Sequence, residues 1–107
     1  MNDLIAAARD VRERAYAPYS RFKVGAALLA DDGAVHAGCN VENAAYPVGS
    51  CAEAGAIAAM IAAGGTAIRA VLVFGEGTEL VTPCGVCRQR IREFAMPETP
   101  IAIAGPE

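Results

Sequence analysis

Between Ser50 and Ala63 the chain is built almost wholly of small apolar residues, and its single charged side chain there is Glu53. Such a segment reads as a helix, with Ser50 as its cap and Gly64-Gly65 as its stop. Being apolar nearly all round, it has to be buried on most of its sides. It cannot cross a membrane, because its longest unbroken apolar run, residues 56–63, falls far short of the roughly 20 residues required. The remaining chain must therefore wrap this helix. With 107 residues, 54% of them hydrophobic, it can do so as one domain over 1–107. A formal charge of −3 excludes the basic surface of a nucleic-acid binder.

The wrapping elements follow from periodicity and turn signals. Residues 2–15 read as a helix, since Leu4, Ile5, Ala8, Val11 and Ala15 recur at three- and four-residue spacing. Pro18 stops it, removing a donor and biasing its predecessor away from helix. Residues 22–30 and 34–40 read as the strands of a β-hairpin turning at Asp31-Asp32-Gly33. A loop over 41–49 follows, marked by Asn43, Pro47 and Gly49. Beyond the small-residue helix come a strand over 70–74, a helix over 83–94 and a last strand, Ile101–Ala104. The order α-β-β-α-β-α-β predicts an α/β fold, a mixed sheet with helices on both faces and its later strands parallel. Side chains this slim bury little area each, so a metal, oligomerisation or both are expected to support the core.

Chemistry concentrates at two predicted helix starts, Cys51-Ala52-Glu53 and Pro83-Cys84-Gly85-Val86-Cys87. Asp3, Arg9, Asp10 and Arg12 interrupt any apolar signal near the N-terminus, so the expected compartment is the reducing cytoplasm. Clustered cysteines there bind metal or react rather than pair. Cys84 and Cys87 have the spacing that clasps one tetrahedral zinc, and the dipole at a helix start favours thiolate. Three sulfurs from Cys51, Cys84 and Cys87 leave the fourth position of such an ion open. Glu53, two residues beyond Cys51, can stand beside the metal without occupying it and carry a proton. Metal, open position and proton carrier together match the Cys-x-Glu … Pro-Cys-x-x-Cys signature of zinc deaminases.

The likeness extends beyond these segments. Ala17-Pro18-Tyr19-Ser20-Arg21-Phe22, Val24-Gly25-Ala26-Ala27-Leu28 and Gly38-Cys39-Asn40-Val41-Glu42-Asn43-Ala44 precede them, and Arg88-Gln89 continue the second. In this order they resemble the cytidine deaminase family, in its short, three-cysteine, homotetrameric branch. The resemblance implies a three-layer α/β/α sandwich with a mixed five-stranded sheet. It implies zinc-dependent hydrolytic deamination of cytidine or 2′-deoxycytidine to uridine or 2′-deoxyuridine and ammonia, in pyrimidine salvage. Cys51, Cys84 and Cys87 correspond to the zinc ligands and Glu53 to the catalytic proton shuttle. Asn40 and Glu42 correspond to the pair that binds the ribose 3′-hydroxyl. Phe22 corresponds to an aromatic packed on the pyrimidine, and the Ala52 amide to a donor to its 2-carbonyl. The implied partners are a pyrimidine nucleoside and further copies of the chain in a homotetramer, with no nucleic acid and no membrane.

One residue departs from the pattern. Ala54 follows Glu53 where members commonly carry an arginine that offsets the thiolates, so Ala54→Arg is expected to move the pH–rate profile to lower pH. Other readings of the same residues stay open. The substrate of a related deaminase can be another aminopyrimidine nucleoside of the blasticidin S type. Alternatively, Cys39 completes a closed, non-catalytic zinc site with the other three cysteines, and Glu53 merely complements the helix dipole. Phe22 can be core, and Asn40 and Glu42 loop caps. His36, in the hairpin, reads as a surface residue.

Overall fold

The computed structural model describes residues 2–45, 49–75, 85–96 and 99–104, with residues 2 and 85–88 described in backbone only. Seven elements follow in the expected order: α1 (Asn2–Arg12), β1 (Val24–Ala30), β2 (Val35–Cys39), α2 (Ala52–Ala62), β3 (Ile68–Gly75), α3 (Gly85–Phe94) and β4 (Ile101–Ala104). The strands form one mixed sheet in the order β2-β1-β3-β4. β1 runs antiparallel to both neighbours, and β3 and β4 are parallel, with Val71 opposite Ile101. Among the described residues the sheet has four strands where the resemblance implies five.

Side-chain alternation along β1 and β3 divides the core between two faces. Val24, Ala26, Leu28 and Ala30 of β1 join Val71 and Val73 of β3 against Ala52, Ala56, Ile57 and Met60 of α2 and Ile91 of α3. On the opposite face Ala27, Ala70, Leu72 and Phe74 pack on Leu4 and Ala8 of α1. The result is the expected α/β/α layering, with α2 and α3 sharing a face.

Where predicted and observed boundaries differ, a specific bond accounts for the shift. α1 ends at Arg12 rather than Ala15, because Glu13, Arg14 and Ala15 donate their N–H groups three residues back and tighten the chain ahead of Pro18. Ser50 does not cap α2. Its N–H and C=O both pair with Val41, at 2.8 and 2.9 Å, which holds it extended. The N-cap falls instead on Cys51, at φ −80 and ψ 162, with no capping bond from its side chain. His36 is half-buried rather than on the surface, because it pairs with Leu28 inside the hairpin.

α2 lies very close to β2. A Cβ on Gly38 would stand 2.2 Å from the Ala56 nitrogen and 2.6 Å from the Ala52 oxygen. Only a bare backbone allows this approach. It fixes the start of α2 over the end of β2, where the candidate residues gather.

Candidate active site

Val41 ties three stretches of chain together. It pairs with Tyr16 on one side and with Ser50 on the other. The Tyr16 N–H donates to the Asn40 oxygen at 3.0 Å, and the Glu42 N–H donates to the Tyr16 oxygen at 2.8 Å. This short lattice continues the sheet past β2 and sets residues 16–24, 40–42 and the entry to α2 side by side.

Within it, Asn40 and Glu42 clasp the segment that carries Phe22. The Asn40 Oδ1 accepts the Val24 N–H at 2.9 Å, and its Nδ2 donates to the Phe22 oxygen at 2.9 Å. Glu42 Oε1 accepts the backbone N–H groups of Tyr19 and Ser20 at 2.9 and 3.1 Å, and Oε2 accepts the Ser20 hydroxyl. The Ser20 hydroxyl, followed by the two backbone donors, holds the Glu42 carboxyl below its ordinary 4.5 against the opposing effect of desolvation. Glu42 is therefore an anion at neutral pH and accepts hydrogen bonds only.

Phe22 belongs to neither core cluster and is 37% exposed, so its ring is presented outward by the clasp rather than buried. The reading of Asn40 and Glu42 as loop-fixing groups is correct as geometry, and it leaves room for a second role. Asn40 keeps one amide hydrogen and Glu42 one oxygen lone pair beyond the bonds described.

The start of α2 places the remaining described candidates. Cys51 is half-buried at the N-cap, and its C=O accepts the first helical bond from the Gly55 N–H at 3.2 Å. Ala52 opens the helix in the buried layer, at a position whose backbone N–H has no acceptor within the helix. Glu53 sits in the first turn at 5% exposure, the single buried charged residue among those described. A carboxylate is costly to bury unless it is partnered, and Glu53 is held in an otherwise apolar layer at the start of α2.

The other two proposed metal ligands are less fully placed. Cys84 lies outside the described residues. Cys87 is in the first turn of α3, on the same sheet face as α2, with only its backbone described. Among the described residues no three His, Cys, Asp or Glu side chains gather as a metal site. The fit of a metal can be judged from Cys51 and Glu53, and there it holds. Cys51 supplies a sulfur at the N-cap of α2, and Glu53 follows it, buried, in the first turn.

Comparison with known proteins decides the family. The family model described as the cytidine and deoxycytidylate deaminase zinc-binding region matches residues 1–103. The chain belongs to the cytidine deaminase family. A relative from Sporosarcina psychrophila, named cytidine deaminase, is 46% identical over 98 residues, covering 92% of this chain and 72% of that protein. One of the same name from Halalkalibacterium halodurans is 44% identical over 98 residues, covering 92% and 74%. The crystal structure of cytidine deaminase from Burkholderia pseudomallei superposes with a TM-score of 0.92 at 45% identity, covering 99% of this chain and 85% of that one. Membership makes the chain an enzyme, a hydrolase of the cytidine deaminase type. No helix among the described residues is long and apolar enough to cross a membrane.

Sequence reasoning passed over Ser20, which it quoted only as part of a motif. The signal was present, since a serine two residues before an aromatic can fold its hydroxyl onto that residue's N–H, as Ser20 does with Phe22 at 3.0 Å. It also passed over Arg21, whose φ of 60 lies in the left-handed region.

Proposed function

We propose that the chain deaminates cytidine and 2′-deoxycytidine by zinc-dependent hydrolysis, giving uridine or 2′-deoxyuridine and ammonia. The setting is pyrimidine salvage in the cytoplasm, and the working form is a homotetramer. One observation carries the reading: a carboxylate, Glu53, buried in the first turn of the helix whose N-cap is Cys51.

Cys51, Cys84 and Cys87 would hold the zinc. Bound there, the ion would supply Lewis acidity that eases deprotonation of water near neutral pH. The chain's own groups account for the rest. Glu53 takes a proton from the attacking water and delivers it to ring N3, which leaves C4 electrophilic. It then carries the second proton to the amino group, which departs as ammonia as the C4 carbonyl forms.

Orientation comes from the clasp and the helix start. The Ala52 N–H donates to the 2-carbonyl of the base, and the outward ring of Phe22 packs against the pyrimidine. The 3′-hydroxyl of the sugar accepts from the remaining amide hydrogen of Asn40 and donates to the remaining lone pair of Glu42. Neither bond requires the clasp to open.

An absorbance assay with cytidine tests the proposal. Glu53→Gln should lower kcat by at least about 100- to 10,000-fold while bound zinc and Tm stay at wild-type levels. A fully active Glu53→Gln enzyme would refute the mechanism. Zinc retained without any turnover in the wild-type chain would favour the non-catalytic zinc module instead.

A further inference from the structure

Ser20 takes part in both halves of the clasp. Its hydroxyl donates to Glu42 Oε2, its backbone N–H donates to Glu42 Oε1 at 3.1 Å, and its side-chain oxygen accepts the Phe22 N–H at 3.0 Å. One short side chain therefore joins the carboxylate assigned to the sugar to the backbone of the ring assigned to the base. Between them Arg21 has φ 60, a conformation unfavourable for any residue with a Cβ. Such a conformation persists where surrounding bonds over-determine it. Here the Arg21 N–H donates to the Ala17 oxygen at 3.0 Å on one side, and the Ser20 hydroxyl closes the turn on the other. Asn40 fixes the Phe22 carbonyl, but only Ser20 links Phe22 to Glu42 among the bonds described.

We infer that Ser20 is a positioning residue of the deamination reaction, its hydroxyl setting the Glu42 carboxylate and the Phe22 ring as one unit that grips sugar and base in fixed relation. The inference rests on the roles proposed above for Glu42 and Phe22. Ser20 acts through those two residues rather than on the reacting atoms. Its contribution is the same in ground state and transition state, so its loss falls on KM more than on kcat.

Steady-state kinetics with cytidine on Ser20→Ala, Ser20→Thr, Glu42→Ala, Phe22→Ala and the Ser20→Ala/Glu42→Ala double variant test this. Ser20→Ala should lose on the order of 10-fold in kcat/KM, carried by KM. Ser20→Thr should recover most of that, because its hydroxyl offers the same donor and acceptor at an exposed position. In the Glu42→Ala background, Ser20→Ala should cost less than about two-fold more, as members of one network do not add. The inference alone is overturned if Glu42→Ala and Phe22→Ala raise KM while any one of three results appears: Ser20→Ala keeps the wild-type KM, threonine fails to rescue it, or the double variant is fully additive. If Glu42→Ala and Phe22→Ala both keep the wild-type KM, the roles beneath the inference fail and it falls with them.

Discussion

Glu42 accepts from one hydroxyl and two backbone N–H groups, all from residues 19 and 20, so its charge and the placement of that segment are linked. A carboxyl held below its ordinary 4.5 by the fold adds stability that is fully present above that pH and disappears as pH falls through the lower native value. The Tm difference between the wild-type chain and Glu42→Gln should therefore be complete at neutral pH and close in strong acid, as followed by thermal melts over a pH series. A difference that stays constant down into strong acid would show that Glu42 contributes by packing and not by charge. At this scale the sequence pointed to Phe22, Asn40, Glu42, Cys51 and Glu53 through motif resemblance, and Cys51 and Glu53 also through spacing. What it could not display was the bonding. That Asn40 spends both ends of its amide on residues 22 and 24 depends on β1 and β2 ending together, which local pattern does not encode.

The elements owe their closeness to missing side chains. Gly38 of β2 lies under α2 with three backbone atoms inside 2.6 Å of where a Cβ would stand, so Gly38→Ala forces whole elements apart. Gly33, in the hairpin turn, has φ +89 but open space around it, and Gly33→Ala meets only the left-handed backbone penalty of about 1–2 kcal/mol. Chemical denaturation should rank Gly38→Ala as clearly more damaging, beyond ~3 kcal/mol. It should also lower activity more than Gly33→Ala does, because α2 carries Cys51 and Glu53. Equal losses from the two variants would show that the α2–β2 approach is looser than these distances. Element type and order were readable from periodicity, proline and glycine. The start of α2 was not, since Ser50 is claimed by Val41, nine residues earlier in sequence, and a pairing across a loop outweighs local capping preference.

For the molecule as a whole, the sequence demanded more burial than one chain provides. α2 was expected to be covered on most sides, yet Ala58, Ile61, Ala62 and Ala63 are exposed, and Tyr16, Val41, Met96 and Ile101 are exposed as well. The proposed tetramer would cover such a surface, and the small residues of α2 would let a neighbouring helix approach closely. Light scattering should then give four times 11.0 kDa, and Ile61→Glu, which places a charge on that outer face, should reduce the mass. A wild-type monomer would leave the face without a partner of its own kind. With so slim a core, the proposed zinc would matter for stability too. Because an ion bound only by the folded chain stabilises it by mass action, stripping zinc with a strong chelator should lower Tm by on the order of 10 °C. Cys51→Ala should show the same low Tm with and without chelator and contain no stoichiometric zinc by elemental analysis. The two effects separate cleanly. Ile61→Glu should keep its zinc and its response to chelator while losing assembly. If chelation leaves Tm unmoved in an enzyme that carries one zinc per chain, the ion serves chemistry alone, and the support for this small core comes from the neighbouring subunits.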